Sequence, residues 1–262
     1  MIERIPVWGL FVGTVLLVMI AHEIGQRLGS AAGKQPKEKD DSTTGAIAGA
    51  ILGLVAFMLA FTFGMAADRF DTRKALVREE ANAIGTAYLR TDFLPEPGRS
   101  ESARLFRAYV DHRVSAVQKG DPAALARAFA EAPQIHRALW SIAVANAKTD
   151  MNSDIGALYV ESLNEVVDLH RTRLNVGVQV RIPGGIWGIL FGLIGVGLVA
   201  VGYHAAIAGS RRSWVTVMLG FSLALVIGLI AALDRPQAGI IKVSQQPLID
   251  VRDMIVADPR SR

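Results

Sequence analysis

The residues of this chain best suited to act on an ion fall on one stripe. Stepping along residues 45–94 at about 100° per residue, as an α-helix does, one face collects Ala50, Phe57, Phe61, Gly64 and Asp68, and further on Glu79, Asn82 and Thr86. The bases Arg69, Arg73, Lys74 and Arg78 point elsewhere. If several copies of this helix surround an axis, Phe57 and Phe61, with Gly64 beside them, form an apolar neck that gates by dewetting. Asp68 then forms an acidic ring that concentrates cations, and Glu79, Asn82 and Thr86 line a polar vestibule. An acid at the membrane edge is a functional candidate by default. Thr62 lies on another azimuth, where its hydroxyl is suited to bond back to a preceding carbonyl. It is a second candidate for the ion pathway if the helix is rotated differently. The residues alone leave another arrangement open, in which Phe57 and Phe61 face lipid or a neighbouring helix and Asp68 pairs with Arg69 or Arg73.

Other chemistry is scarce. His22-Glu23 begins like an HExxH zinc motif, but Gln26 stands where the second histidine belongs, so no metal is expected there. His112, His136, His170 and His204 are scattered and read as helix-face histidines. The chain has no cysteine, which excludes disulfides and thiolate metal sites. It has no Walker loop, no strand-borne GxGxxG and no nucleophile–base constellation, so neither an enzyme nor a cofactor is expected.

The stripe must be held by a helix that leaves a membrane. Mean hydropathy is +0.33 and 51% of residues are hydrophobic, against 20% charged, which together suggest a membrane protein with a large polar part. Spanning about 30 Å of hydrocarbon takes roughly 20 apolar residues. Four runs qualify: Ile5 to about Ile24, Thr44 to Ala67, Ile182 to Ala208 and Trp214 to Leu233. Trp8, Trp187, Tyr203 and Trp214 suit interfacial belts. The first run ends without a small-x-small site, so a cleaved signal is not expected. No proline interrupts the chain between Pro36 and Pro95, so the second run is expected to continue as one helix into charged sequence. A flank of that helix carries Gly45, Gly49, Gly53, Ala56, Ala60 and Ala67, a pattern for close helix packing.

With four crossings, both termini and residues 68–181 share a side that holds 22 of the 28 lysines and arginines. The excess persists near the membrane (Arg69, Arg73, Lys74, Arg78, Arg171, Arg173 and Arg181), which places that side in the cytoplasm. The net charge of +4 reflects this bias. The bases interleave with acids and form no nucleic-acid patch. The outer loop from Arg27 to Thr43, with its mixed charges, is expected to be a mobile hairpin.

The cytoplasmic segment reads as helical. A break falls at Pro95-Glu96-Pro97-Gly98, with Ser100 as N-cap of a helix carrying Phe106, Tyr109, Val110, Arg113, Val114 and Val117 on one face. Asp121-Pro122 starts the next helix, which Pro133 is expected to break or kink before Ile135, Leu139, Ile142 and Val144. Asn152-Ser153-Asp154 caps a long helix with Ile155, Leu158, Tyr159, Leu163, Val166, Val167, His170, Leu174 and Val178 on its apolar side. Asp234-Arg235-Pro236 ends the fourth span, with Asp234 and Arg235 expected to pair and anchor the C-terminal arm.

Two segments, LAFTFGMAADRFDTRKALVREEANAIGTAYLR (Leu59–Arg90) and LDRPQAGIIKVSQQPL (Leu233–Leu248), resemble signature blocks of a bacterial family of bestrophin-like membrane proteins. Glu23-Ile24-Gly25 followed by Arg27-Leu28-Gly29 fits the same family. The resemblance implies an all-α membrane protein with four transmembrane helices and a large helical cytoplasmic bundle. It also implies a pentameric channel whose second helix lines an axial pore with an apolar neck. It tips the reading of the stripe towards a pathway through Phe57, Phe61, Gly64 and Asp68. Bestrophins carry an acidic calcium clasp after the fourth span. Here Asp234-Arg235-Pro236-Gln237-Ala238-Gly239 has a single acid, so calcium gating is not carried over.

The expected divisions are 1–67 (spans one and two), 68–181 (cytoplasmic bundle), 182–233 (spans three and four) and 234–262 (C-terminal arm). The expected molecule is a homopentamer in the bacterial inner membrane, partnered by lipid and by its own copies. The acidic mouth leans it towards monovalent cations, potassium first. An anion (chloride) channel and a non-conducting scaffold or sensor are the alternatives.

Overall fold

The computed structural model describes residues 5–32, 38–118, 122–176, 180–209, 214–235 and 241–261. All regular structure among them is helical. The long helices are α1 (Val7–Ala31), α2 (Glu38–Leu89), α3 (Gly98–Gln118), α4 (Pro122–Thr149), α5 (Asp154–Leu174), α6 (Gly184–Ile207), α7 (Trp214–Asp234) and α8 (Gln246–Ala257). Short 3₁₀ turns follow α2 (Arg90–Phe93) and α8 (Pro259–Ser261). Four helices are long and apolar enough to cross a membrane: α1, α2, α6 and α7. The chain divides into two compact units, Met1–Phe70 with Arg181–Ile241, and Asp71–Val180 with Lys242–Arg262.

In the first, membrane unit, α1 packs against α6 through backbone-to-backbone approach. A Cβ on Gly25 would stand 2.1 Å from the Val199 carbonyl oxygen, and one on Gly202 would stand 2.2 Å from that of His22. Gly29 meets Tyr203 in the same way. Lipid offers apolar side chains no reason to associate, so van der Waals packing at small residues brings such helices together. Helix α1 continues to Ala31, past the span end expected near Ile24, with a Glu23–Arg27 pair at 2.9 Å in its last turns. Leu190, Ile194, Leu198, Val55, Leu59, Ile227 and Ile230 fill the remaining core. Trp8 and Trp214 are exposed, as interfacial residues should be, but Trp187 is buried and stacks on Phe191 at 5.9 Å. It belongs to the core rather than to a belt.

Asp234 ties three helices of this unit together. Its carboxylate accepts the Ile182 backbone N–H at 3.1 Å and faces Arg69 at 3.7 Å, while Arg181 donates to its main-chain oxygen at 2.6 Å. Arg235 reaches back to the Ile5 carbonyl. Both residues anchor the end of α7, and they do so through partners distant in sequence.

The second unit is a helical bundle around Ile84, Tyr88, Phe106, Tyr109, Val110, Leu139, Tyr159, Leu163 and Val166, closed by Leu248 and Ile255 of α8. The segment after Lys242 therefore folds into the bundle rather than trailing from it. Local signals explain most boundaries. Ser153 caps α5 by accepting the Gly156 N–H at 3.0 Å. At α3 the helix begins at Gly98, and the Glu96 carboxylate receives the Ser100 N–H at 3.3 Å, so the cap comes from Glu96 and not from Ser100. Pro133 does not end α4, which runs through it to Thr149. One lost backbone hydrogen bond is outweighed where Ala128, Ala132, Leu139 and Ala143 bury their side of the helix. On α5 the apolar stripe is narrower than expected. Tyr159, Leu163, Val166 and His170 are buried, while Ile155 and Leu158 are exposed. The Lys34 and Lys37 part of the outer loop, Gly120-Asp121, Val178 and Pro236-Gln237-Ala238-Gly239 lie outside the described residues.

Candidate functional site

Helix α2 is one uninterrupted helix of 52 residues. One side of it is packed along its length: Ala48, Val55, Leu59, Thr62 and Ala66 in the membrane unit, then Arg73, Leu76, Val77, Glu80, Ile84, Ala87 and Tyr88 in the bundle. The opposite side is exposed in both units. Phe57 and Phe61 are 64% and 54% accessible, and Ala50, Gly64 and Asp68 are exposed with them. A Cβ on Gly64 would meet nothing within 4 Å. In the bundle, Glu79, Asn82 and Thr86 are likewise exposed. Among the described residues, the whole sequence-derived stripe thus lies on the exposed side of the helix.

From Gly49 to Ala60 the neighbouring flank of small residues is exposed too. Gly49 and Gly53 have no atom within 4 Å of an added Cβ, and Ala56 and Ala60 are exposed. Of this flank, Gly45 touches another helix, at the His204 ring. Close packing inside the protomer uses instead Gly25 and Gly29, a GxxxG pair on α1, together with Gly202 of α6. Thr62 is buried, and its hydroxyl donates to the Met58 carbonyl at 2.7 Å. It is turned away from Phe57 and Phe61 and satisfied by its own helix.

A second constellation, which the sequence reading does not single out, lies inside the bundle. Glu80 is wholly buried and its carboxylate is shared. Arg113 of α3 reaches both of its oxygens at 2.8 and 2.9 Å, Tyr109 donates to it at 2.9 Å, and Arg173 of α5 closes on it too. Arg173 also holds Gln245 at 3.2 Å, next to α8. Phe129 of α4 lies 4.3 Å from the Arg113 guanidinium carbon. His136 and His170 stand edge to face at 5.0 Å, with Tyr109 5.0 Å from His136. Burial, then the nearby charges of Arg113 and Arg171, lowers His136 to about 4. Burial and those charges lower His170 to about 3. Both imidazoles are neutral at pH 7. Burial lowers Arg173 to about 10, so it keeps its charge. The available signal was a charged residue inside an apolar stripe: Glu80 between Val77 and Ile84, Arg113 between Val110 and Val114.

Four hydrophobic spanning helices with a helical extramembrane bundle built on a prolonged second span define a polytopic α-helical membrane protein. The bestrophin-like domain model matches residues 10–248, and the chain belongs to the bestrophin-like family. In three dimensions it is similar to the crystal structure of a point mutant of a bacterial bestrophin homologue from Klebsiella pneumoniae. That likeness has a TM-score of 0.59 and 18% identity over 94% of each chain. No curated protein matches it in sequence.

Proposed function

We propose that this protein is a homo-oligomeric ion channel, a pentamer in the bacterial inner membrane with both termini cytoplasmic, whose α2 helices line an axial pathway. The observation that supports this reading is the uncovered face of α2. A monomer that leaves two phenylalanines, an acid and a run of small residues exposed on one helix gains by closing a symmetric ring around them. In such a ring the Gly49/Gly53/Ala56/Ala60 flank allows adjacent α2 helices to approach. Phe57 and Phe61 form the neck with Gly64, and Asp68 stands at its inner mouth. Glu79, Asn82 and Thr86 line the vestibule.

A neck of phenylalanine is indifferent to charge sign, so selectivity falls to the rings beside it. A ring of carboxylates at Asp68, with Glu79 beyond, favours monovalent cations, potassium foremost. Purified protein in liposomes or planar bilayers under a KCl gradient tests this. A reversal potential close to the potassium equilibrium value is expected, and Asp68→Asn moves it towards zero. A reversal at the chloride equilibrium value overturns the cation assignment in favour of an anion channel. No conductance from any preparation overturns the channel reading in favour of a scaffold.

A further inference from the structure

We infer that the buried cluster around Arg113 in the helical bundle is a binding site for a small inorganic anion of halide size. The inference is independent of the α2 pathway.

Charge comes first. Two guanidiniums, Arg113 and Arg173, share the single carboxylate of Glu80, which leaves one buried positive charge in excess. Removing an uncompensated charge from water is costly, and a bound anion offsets that cost. Hydrogen-bonding capacity comes second. Arg113 is 2% exposed, and only its Nη2 is engaged with Glu80; Nε and Nη1 have no hydrogen-bond partner among the described residues. His136 Nε2 and His170 Nδ1 are buried without a hydrogen-bond partner among the described residues as well. Buried donors in native proteins are nearly always satisfied. Arg113 Nε and Nη1 can only donate, and each of the two imidazole nitrogens donates in one of its tautomers, so the cluster points to something that accepts.

The groups packed around the site sharpen the ligand class. They are Glu80 from α2, Tyr109 and Arg113 from α3, Phe129 and His136 from α4, His170, Arg171 and Arg173 from α5, and Gln245 before α8. The only carboxylate among them is already consumed by the two arginines. Neutral imidazoles can each donate one N–H to an anion, whereas a metal cation would face the guanidinium charge. Among the described residues no three His, Cys, Asp or Glu side chains assemble a metal site. Ring separations of 5.0–6.4 Å between Tyr109, His136 and His170 leave no space for a phosphate or a nucleotide. A single halide ion, chloride or bromide, is among the smallest anions able to accept from them.

Two measurements on the full-length protein test this. Crystals grown in sodium bromide should give an anomalous peak within hydrogen-bonding distance of Arg113. Water or unoccupied space there, or a carboxylate from the buffer with no bromide, overturns the assignment. In detergent, the melting temperature should rise saturably with chloride or bromide against gluconate at matched ionic strength. His170→Gln and His136→Gln should each raise the halide midpoint at least about tenfold, and exposed His112→Gln should not. Equal melting in chloride and gluconate, or unchanged midpoints in both variants, sinks the proposal. If neither variant folds, the bromide peak in the unmodified protein decides.

Discussion

At the scale of single residues, adjacent acids on α2 have opposite fates. Glu79 faces outward and Glu80 is wholly enclosed. Glu80→Gln leaves two buried guanidiniums without their carboxylate, so the bundle should lose about 3–5 kcal/mol. Glu79→Gln should stay within about 0.5 kcal/mol; denaturant melts of the two variants side by side test the contrast. Phe57 and Phe61 separate structure from function in the same way. Each is more than half exposed, so Phe57→Ala or Phe61→Ala should scarcely change melting, yet in liposomes should raise potassium flux severalfold by widening the neck. Unchanged flux would remove them from the pathway. The histidines add a pH dependence. Their folded values, about 4 for His136 and about 3 for His170, lie below the ordinary 6.5. Between 6.5 and those values the unfolded chain binds the protons more tightly, so stability is full above pH 6.5 and falls as the pH is lowered. Each histidine contributes about 1.4 kcal/mol per pH unit within its window. In halide-free buffer, His136→Phe should flatten the melting-temperature profile between pH 6.5 and 4, and a profile as steep as that of the parent counts against the assignment.

At the scale of elements, the glycines divide by helix. Gly25→Ala drives a methyl into the Val199 carbonyl, and the α1–α6 pair has to separate or shift. The expected result is a loss of well over about 2 kcal/mol and poor recovery from the membrane, followed by thermal unfolding in detergent. Gly53→Ala meets open space within the protomer, where alanine gains up to about 1 kcal/mol of helix propensity. The unit itself should be as stable or more so. The two substitutions look alike in sequence, and only the neighbour across the helix distinguishes them. The same reasoning explains Pro133 and Trp187. Burial of the turns around Pro133 sustains α4, and Trp187 is claimed by the core before it can reach an interface.

For the whole molecule, the two-sided character of α2 matters most. Its inner side belongs to the protomer's two cores and its outer side is left for another partner. If that partner is a second copy, Gly53→Leu should disperse the oligomer to smaller species without unfolding the protomer, read by light scattering in detergent together with melting. Preserved oligomers with this bulky flank would place the subunit contact elsewhere.

The four spans, the unbroken second helix and the composition of its outer stripe were determined by the sequence itself. Hydrophobic length, the absence of proline and a 3.6-residue period are local properties that every residue displays directly. The stripe was legible because an exposed face needs no partner to define it. The α1 glycines and the Glu80–Arg113–Arg173 cluster were decided only by tertiary structure. A glycine's value depends on which backbone approaches it. A charge inside an apolar stripe is intelligible only once residues 33 and 93 positions away are found beside it. Asp234 obeys the same rule. It ends a helix in the sequence, and in the fold it joins the end of α7 to the start of α6 and to the middle of α2.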